Sequence, residues 1–182
     1  MISAAKPIIG DDERDAVDRV LRSGMLVQGP EVTAFEDEFS KFVNGYKCVA
    51  VNSGTSALHM ALIAANIRHG DEVIVPSFTF AATANSVALT GATPVFVDIN
   101  PRTFNIDPAA IEAAITPKTR AIQPVHLYGQ PAQMDKIQEL AKKHNLLILE
   151  DAAQAHLATF NGQNVGSFGI AGTFSFYPTK NM

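Results

Sequence analysis

From Lys47 onward, short apolar runs alternate with segments whose apolar residues recur at helical spacing, and turn-forming residues separate the two kinds. This alternation predicts strands and helices in turn, the pattern of a parallel sheet covered by helices. Strands are expected over 48–51, 72–76, 94–98, 121–126, 146–150 and 172–176, and helices over 55–67, 81–90, 108–115 and 133–144. Asp107 followed by Pro108 is a cap and first-turn pair, which supports the third of these helices. Upstream, two further helices are expected over 11–23 and 30–44, joined by the loop SGMLVQGP. The second carries Val32, Phe35, Phe39 and Phe42 at helical spacing. No repeat, low-complexity tract or linker divides the chain. In an open sheet of this kind ligands bind beyond the carboxyl ends of the strands, so chemistry is sought just after each run.

With 182 residues, 47% of them apolar and 18% charged, the chain is long enough for one ordinary core and is expected to form a single domain. Lys and Arg number 14 against 18 Asp and Glu, a net charge of −4. No run of like charge suggests a nucleic-acid arm or a membrane-binding face. The single cysteine, Cys48, cannot form an internal disulfide, and acidic residues enter the opening MISAAKPIIGDDERD before any long apolar stretch. A cytoplasmic setting is therefore expected. The longest apolar region, 78–97, is broken by Thr, Asn, Gly and Pro and does not read as a membrane span.

Four strand exits carry unusual residues. Asn52-Ser53-Gly54-Thr55-Ser56 enters a helix with hydroxyls and small residues, which suits a phosphate held by N–H groups and the helix dipole, and equally suits simple capping. In Pro76-Ser77-Phe78-Thr79-Phe80, two aromatics follow a strand, either to stack on a planar ligand or to fill the core. Leu146 to Glu150 is an apolar strand that runs into Glu150-Asp151, with Gln154 and His156 beyond. Acids at such a place meet a cation, a metal or a protonated nitrogen, or are solvated, and no second cluster supports a metal. Gly172 to Asn181 contains Ser175 and Lys180; a lysine is ordinarily a solvated surface group, but a deprotonated one condenses with aldehydes. No glycine loop for a dinucleotide, no P-loop and no nucleophile elbow occurs, which leaves a nicotinamide oxidoreductase without its usual loop.

NSGTSAL, PSFTFAATANSV, PVFVDI, PVHLYGQPAQM, EDAAQAH and SFYPTKN together resemble, in their order, the sugar aminotransferases of the DegT/StrS family. The resemblance implies the aspartate-aminotransferase fold, a three-layer α/β sandwich around a mostly parallel sheet, and pyridoxal 5′-phosphate as cofactor. Carried over by position, Lys180 is the lysine that binds the cofactor as a Schiff base and shuttles protons. Asp151 pairs with the protonated pyridine nitrogen, Gln154 lies beside the ring, Phe80 stacks on it, and Gly54, Thr55 and Ser175 hold the phosphate. His126, Tyr128 and His156 receive no role. Some relatives have His in place of this lysine and dehydrate sugars, so Lys180 argues for amination.

The implied reaction moves an amine from an amino acid, most often glutamate, to a keto group of a nucleotide-linked sugar. No metal is implied. Family members are about twice as long and work as homodimers. Residues 1–182 are therefore expected to be the cofactor-binding large domain in incomplete form, inactive alone, with the C-terminal small domain absent. A rival from another class is a cofactor-binding regulatory protein, or an inactive fragment, on the same scaffold; retention of Lys180 with Asp151, Gln154 and Ser175 speaks against it.

Overall fold

Apolar runs such as Val73-Ile74-Val75 are too short for a helix and apolar at consecutive positions, so both of their faces must be covered. The structure, a computed structural model that describes residues 7–180, covers them with helices on each side. In chain order the elements are α1 (Asp11–Ser23), α2 (Pro30–Ser40), α3 (Gly54–Ala64), β1 (Glu72–Pro76), α4 (Ala82–Leu89), β2 (Thr93–Val97) and α5 (Pro108–Ala114). There follow β3 (Thr119–Ile122), α6 (Met134–His144), β4 (Leu147–Asp151), the hairpin β5 (Thr159–Phe160) and β6 (Gln163–Asn164), and β7 (Ala171–Thr173). Five strands form one sheet in the order β2-β1-β3-β4-β7, every pair of them parallel.

Strand alternation sorts the core into two layers. Ile74, Ile122 and Ile148 pack with Ile111 of α5 and Met134, Ile137 and Ala141 of α6. Val73, Val75, Ala121 and Leu149 pack on the other face with Leu62 of α3 and Val87 of α4. Capping follows the sequence signals: the Asp107 carboxylate accepts from Ala109 N–H at 3.0 Å with Pro108 in the first turn of α5, and Ser53 Oγ accepts from Ser56 N–H at 3.1 Å at the start of α3. Among the described residues no helix is long and apolar enough to cross a membrane.

Three expectations change. Residues 48–51 are not a strand: no ladder partner lies beside them among the described residues, and Ala50 N–H donates instead to Glu36 Oε1 at 2.6 Å. The expected strand 121–126 pairs regularly only to Ile122. Beyond it, Pro124 has no N–H to donate, and the chain meets β4 through its carbonyl, which accepts from Asp151 N–H at 2.9 Å, and through His126 N–H to Asp151 O at 3.0 Å. Strand 172–176 is shifted to Ala171–Thr173, because Phe174 and Phe176 leave the sheet to pack against Phe39 of α2, with centroids 5.0 and 5.4 Å from its ring. One hairpin went unread: Asn161 and Gly162 take φ of 51° and 82°, the left-handed turn that an Asn-Gly pair favours.

The return from β4 to β7 is built on Glu150. Its side chain is fully buried and accepts from the N–H groups of Gly166 at 2.7 Å, Phe168 at 2.7 Å and Gly169 at 2.9 Å, with His126 Nε2 at 3.0 Å. His126 Nδ1 accepts from Ala132 N–H at 3.1 Å, so its proton lies on Nε2 and points at Glu150. His126 thus supports a loop. At Gly172 a Cβ would collide with the backbone of Gly166, so the loop closes onto β7 only with glycine there. Glu150→Ala strands three N–H groups and a histidine, and is expected to lower the unfolding free energy by about 3–5 kcal/mol. The urea midpoint measures this; an unchanged midpoint would show that other contacts hold the loop.

Candidate active site

The singled-out residues gather at one rim of the sheet. Phe80 follows β1, Asp151 ends β4 with Gln154 just beyond, Ser175 and Lys180 follow β7, and Gly54 and Thr55 open α3, which packs against β7. A Cβ on Gly54 would lie 3.0 Å from Ser175 Cβ, so glycine lets the helix start approach the serine. Ser175 is turned that way by its neighbours. In an extended segment side chains alternate, and Phe174 and Phe176 are both anchored on Phe39 and on the His156 ring, 5.5 and 5.0 Å from its centroid. His156 is therefore part of an aromatic cluster. The half-buried Thr55 stands in the first turn of α3, while Ser56 is engaged with the Ser53 cap.

Adjacent on β4, Glu150 and Asp151 point to opposite faces and meet different fates. Asp151 faces α4, where Thr83 Oγ1 donates to its Oδ2 at 2.8 Å, and Ala153 N–H donates to Oδ1 at 3.2 Å. It is 5% exposed, and burial pushes its carboxyl above the ordinary aspartate range. The Thr83 hydroxyl, the Ala153 N–H and the nearby Lys180 pull the other way and do not cancel that cost. A carboxylate in this position gains from one more positive partner.

Lys180 supplies a second charge. Its Nζ stands 5.9 Å from the centroid of Phe80, whose ring is 69% exposed. Gln154 is oriented by a strained turn: Tyr128, at φ 51°, donates its N–H to Gln154 Oε1 at 2.8 Å, and among the described residues the Gln154 amide nitrogen has no acceptor. Tyr128 acts here through its backbone, and its side chain is exposed. Two hydroxyls escaped the sequence reading, Thr79 and Thr83, whose oxygens lie 2.8 Å apart. Their separation by four residues at a helix start was a readable signal. Among the described residues no group of three His, Cys, Asp or Glu side chains is arranged to hold a metal.

Residues 7–182 match the DegT/DnrJ/EryC1/StrS aminotransferase family along their length. The chain belongs to this family. It is 51% identical to the GDP-perosamine synthase of Caulobacter vibrioides over 98% of this chain and 48% of that protein. It is 50% identical to the dTDP-3-amino-3,4,6-trideoxy-alpha-D-glucose transaminase of Streptomyces venezuelae over 92% of this chain and 44% of that one. A Streptococcus pneumoniae protein solved in PLP and PMP forms superposes with TM-score 0.95 at 35% identity, covering 100% of this chain and 50% of the other. The α/β fold with a mostly parallel sheet is that of these aminotransferases. The chain spans about half the length of the curated relatives it matches.

In this DegT/StrS-type chain the raised Asp151 carboxyl makes a stability prediction. The group is harder to ionise when folded, so it costs stability above the ordinary aspartate pKa and nothing below it. Cofactor-free Asp151→Asn is therefore expected to melt higher than wild type at neutral pH, the gap closing as pH falls through the ordinary aspartate range. A lower melting temperature at neutral pH would contradict it.

Proposed function

We propose that this chain is the cofactor-binding part of a pyridoxal 5′-phosphate-dependent aminotransferase. The reaction transfers the amino group of an amino acid, glutamate by expectation, to a keto group of a nucleotide-linked sugar in amino-sugar biosynthesis. The observation that carries the reading is the pair of opposite charges at one rim: Lys180 Nζ over the exposed Phe80 ring, and buried Asp151 with two internal donors. The relatives named as sugar aminotransferases and the PLP-form neighbour support the same reading.

The donor set fits the cofactor. Gly54 and Thr55 at the helix start, with the Ser175 hydroxyl close by, offer N–H and O–H donors to a phosphate. Asp151 would take a protonated ring nitrogen, which would offset the cost of its burial, and Phe80 would offer a flat apolar face to the ring. The Gln154 amide nitrogen, its oxygen held by Tyr128 N–H, would be a donor to the cofactor. When bound, the cofactor supplies an aldehyde and an electron-withdrawing ring. Lys180 would hold that aldehyde through Nζ and, once the amine of a substrate has displaced it, its freed Nζ would move a proton to and from the substrate carbon. Asp151 keeps its negative charge against the ring nitrogen. A lysine rather than a histidine at this position favours amination over dehydration. The working form is read as a homodimer in the cytoplasm, and the chain as its large, cofactor-binding domain.

Borohydride reduction of the loaded protein followed by peptide mapping is expected to find a phosphopyridoxyl adduct on Lys180 and none in Lys180→Ala. An adduct on another residue, or none, would overturn the assignment. In the complete enzyme, Asp151→Asn is expected to retain the cofactor and to slow amination by orders of magnitude, measured as kcat with a keto-sugar acceptor. Near-normal turnover would show that another group holds the ring nitrogen.

A further inference from the structure

Asp151 is reached from α4 by a chain of two hydroxyls. Thr79 Oγ1 lies 2.8 Å from Thr83 Oγ1, and Thr83 Oγ1 lies 2.8 Å from Asp151 Oδ2. Thr83 is fully buried, and its main chain cannot swing away. Its carbonyl accepts from Gln123 Nε2 of the neighbouring strand segment at 3.0 Å and from Ser86 Oγ at 2.9 Å, and its N–H donates to Phe80 O at 3.0 Å. The turn that carries Phe80 and the hydroxyl that reaches Asp151 are thus one rigid piece.

A hydroxyl has one proton, so the chain has a direction. With Asp151 ionised, Thr83 donates to the carboxylate, Thr79 donates to Thr83, and every oxygen has its partner. With a proton on Asp151 Oδ2 the order reverses and Thr79 must find an acceptor elsewhere. The chain therefore favours the anion, through charge-assisted hydrogen bonding. Facing groups add to this: Lys180 after β7 lowers the carboxyl, His126 beside β4 is neutral with its one ring proton turned to Glu150, and α4 presents the neutral Thr83, the first of the influences that oppose burial. Glu150 points to the other face, satisfied by its own donors.

We propose that Thr83, backed by Thr79, is a positioning residue that holds Asp151 as an oriented, anionic acceptor for the protonated ring nitrogen of the cofactor. The inference rests on the reading of Asp151 as the partner of that nitrogen. Thr83 touches neither substrate nor cofactor in this role. It acts through the carboxylate.

The test is made on the intact protein loaded with pyridoxal 5′-phosphate labelled with 15N in the ring, whose chemical shift reports ring protonation directly. Thr83→Val keeps the shape and removes the donor. It is expected to lower the protonated fraction of the ring nitrogen across the titration, the balance between a proton on the ring and one on Asp151 moving about tenfold toward Asp151, the change that one charge-assisted hydrogen bond is worth. Thr83→Ser should restore the wild-type titration, which a packing role would not predict, and Thr79→Val should shift it in the same direction by less. A wild-type titration in Thr83→Val beside a shifted one in Asp151→Asn would overturn the role of Thr83. A wild-type titration in Asp151→Asn would overturn the reading of Asp151 instead. Should Thr83→Val not fold, Thr79→Val decides: no shift there would overturn the relay.

Discussion

A carboxylate taken out of water must be matched by donors or by a cation, and β4 buries two of them side by side. Period-2 alternation sends Glu150 toward the α5/α6 layer and Asp151 toward the α3/α4 layer, so each must be matched separately. Glu150 is matched completely, by three backbone N–H groups and His126. Those bonds fold residues 166–169 back under the sheet. Without that return, β7 would have no route to pair with β4, and the segment with Ser175 and Lys180 would not arrive at the rim where β4 ends.

Asp151 is matched less well, by a hydroxyl and one N–H, and burial outweighs them. That residual cost is what a functional site stores: an anion that is rigid, dry and short of one positive partner. Glu150 is thus satisfied within the fold, while Asp151 is left for the proposed chemistry. Aromatic packing does the equivalent for Ser175, because Phe174 and Phe176 fix its two neighbours on Phe39 and leave the serine turned to Gly54.

The layered α/β architecture was legible because apolar runs at consecutive positions must be covered on both sides and helical spacing marks the covers. Five of the six expected strands pair within a few residues of their expected ranges, and the Asp107-Pro108 cap stands as read. The segment 48–51 was not settled by pattern, since strand formation needs a neighbour that a local sequence cannot supply. The Asn161-Gly162 hairpin and the Thr79/Thr83 pair were present as local signals and went unread. His156 and His126 had no local signature: one is an aromatic packing partner and the other the partner of a loop-binding carboxylate.

By itself the sequence determined the periodicities, hence the layers and the rim where chemistry had to lie, and through the joint order of its motifs the family. Those are properties of local pattern and of chain order. Only the tertiary structure decided which of two adjacent acids is spent on the fold, which hydroxyl reaches the other, and which backbone N–H holds the Gln154 amide oxygen. Each depends on groups tens of residues apart brought within hydrogen-bond distance, as Thr83 is to Asp151 at 2.8 Å. A spacing in sequence carries no information about a contact of that kind until the sheet has closed around it.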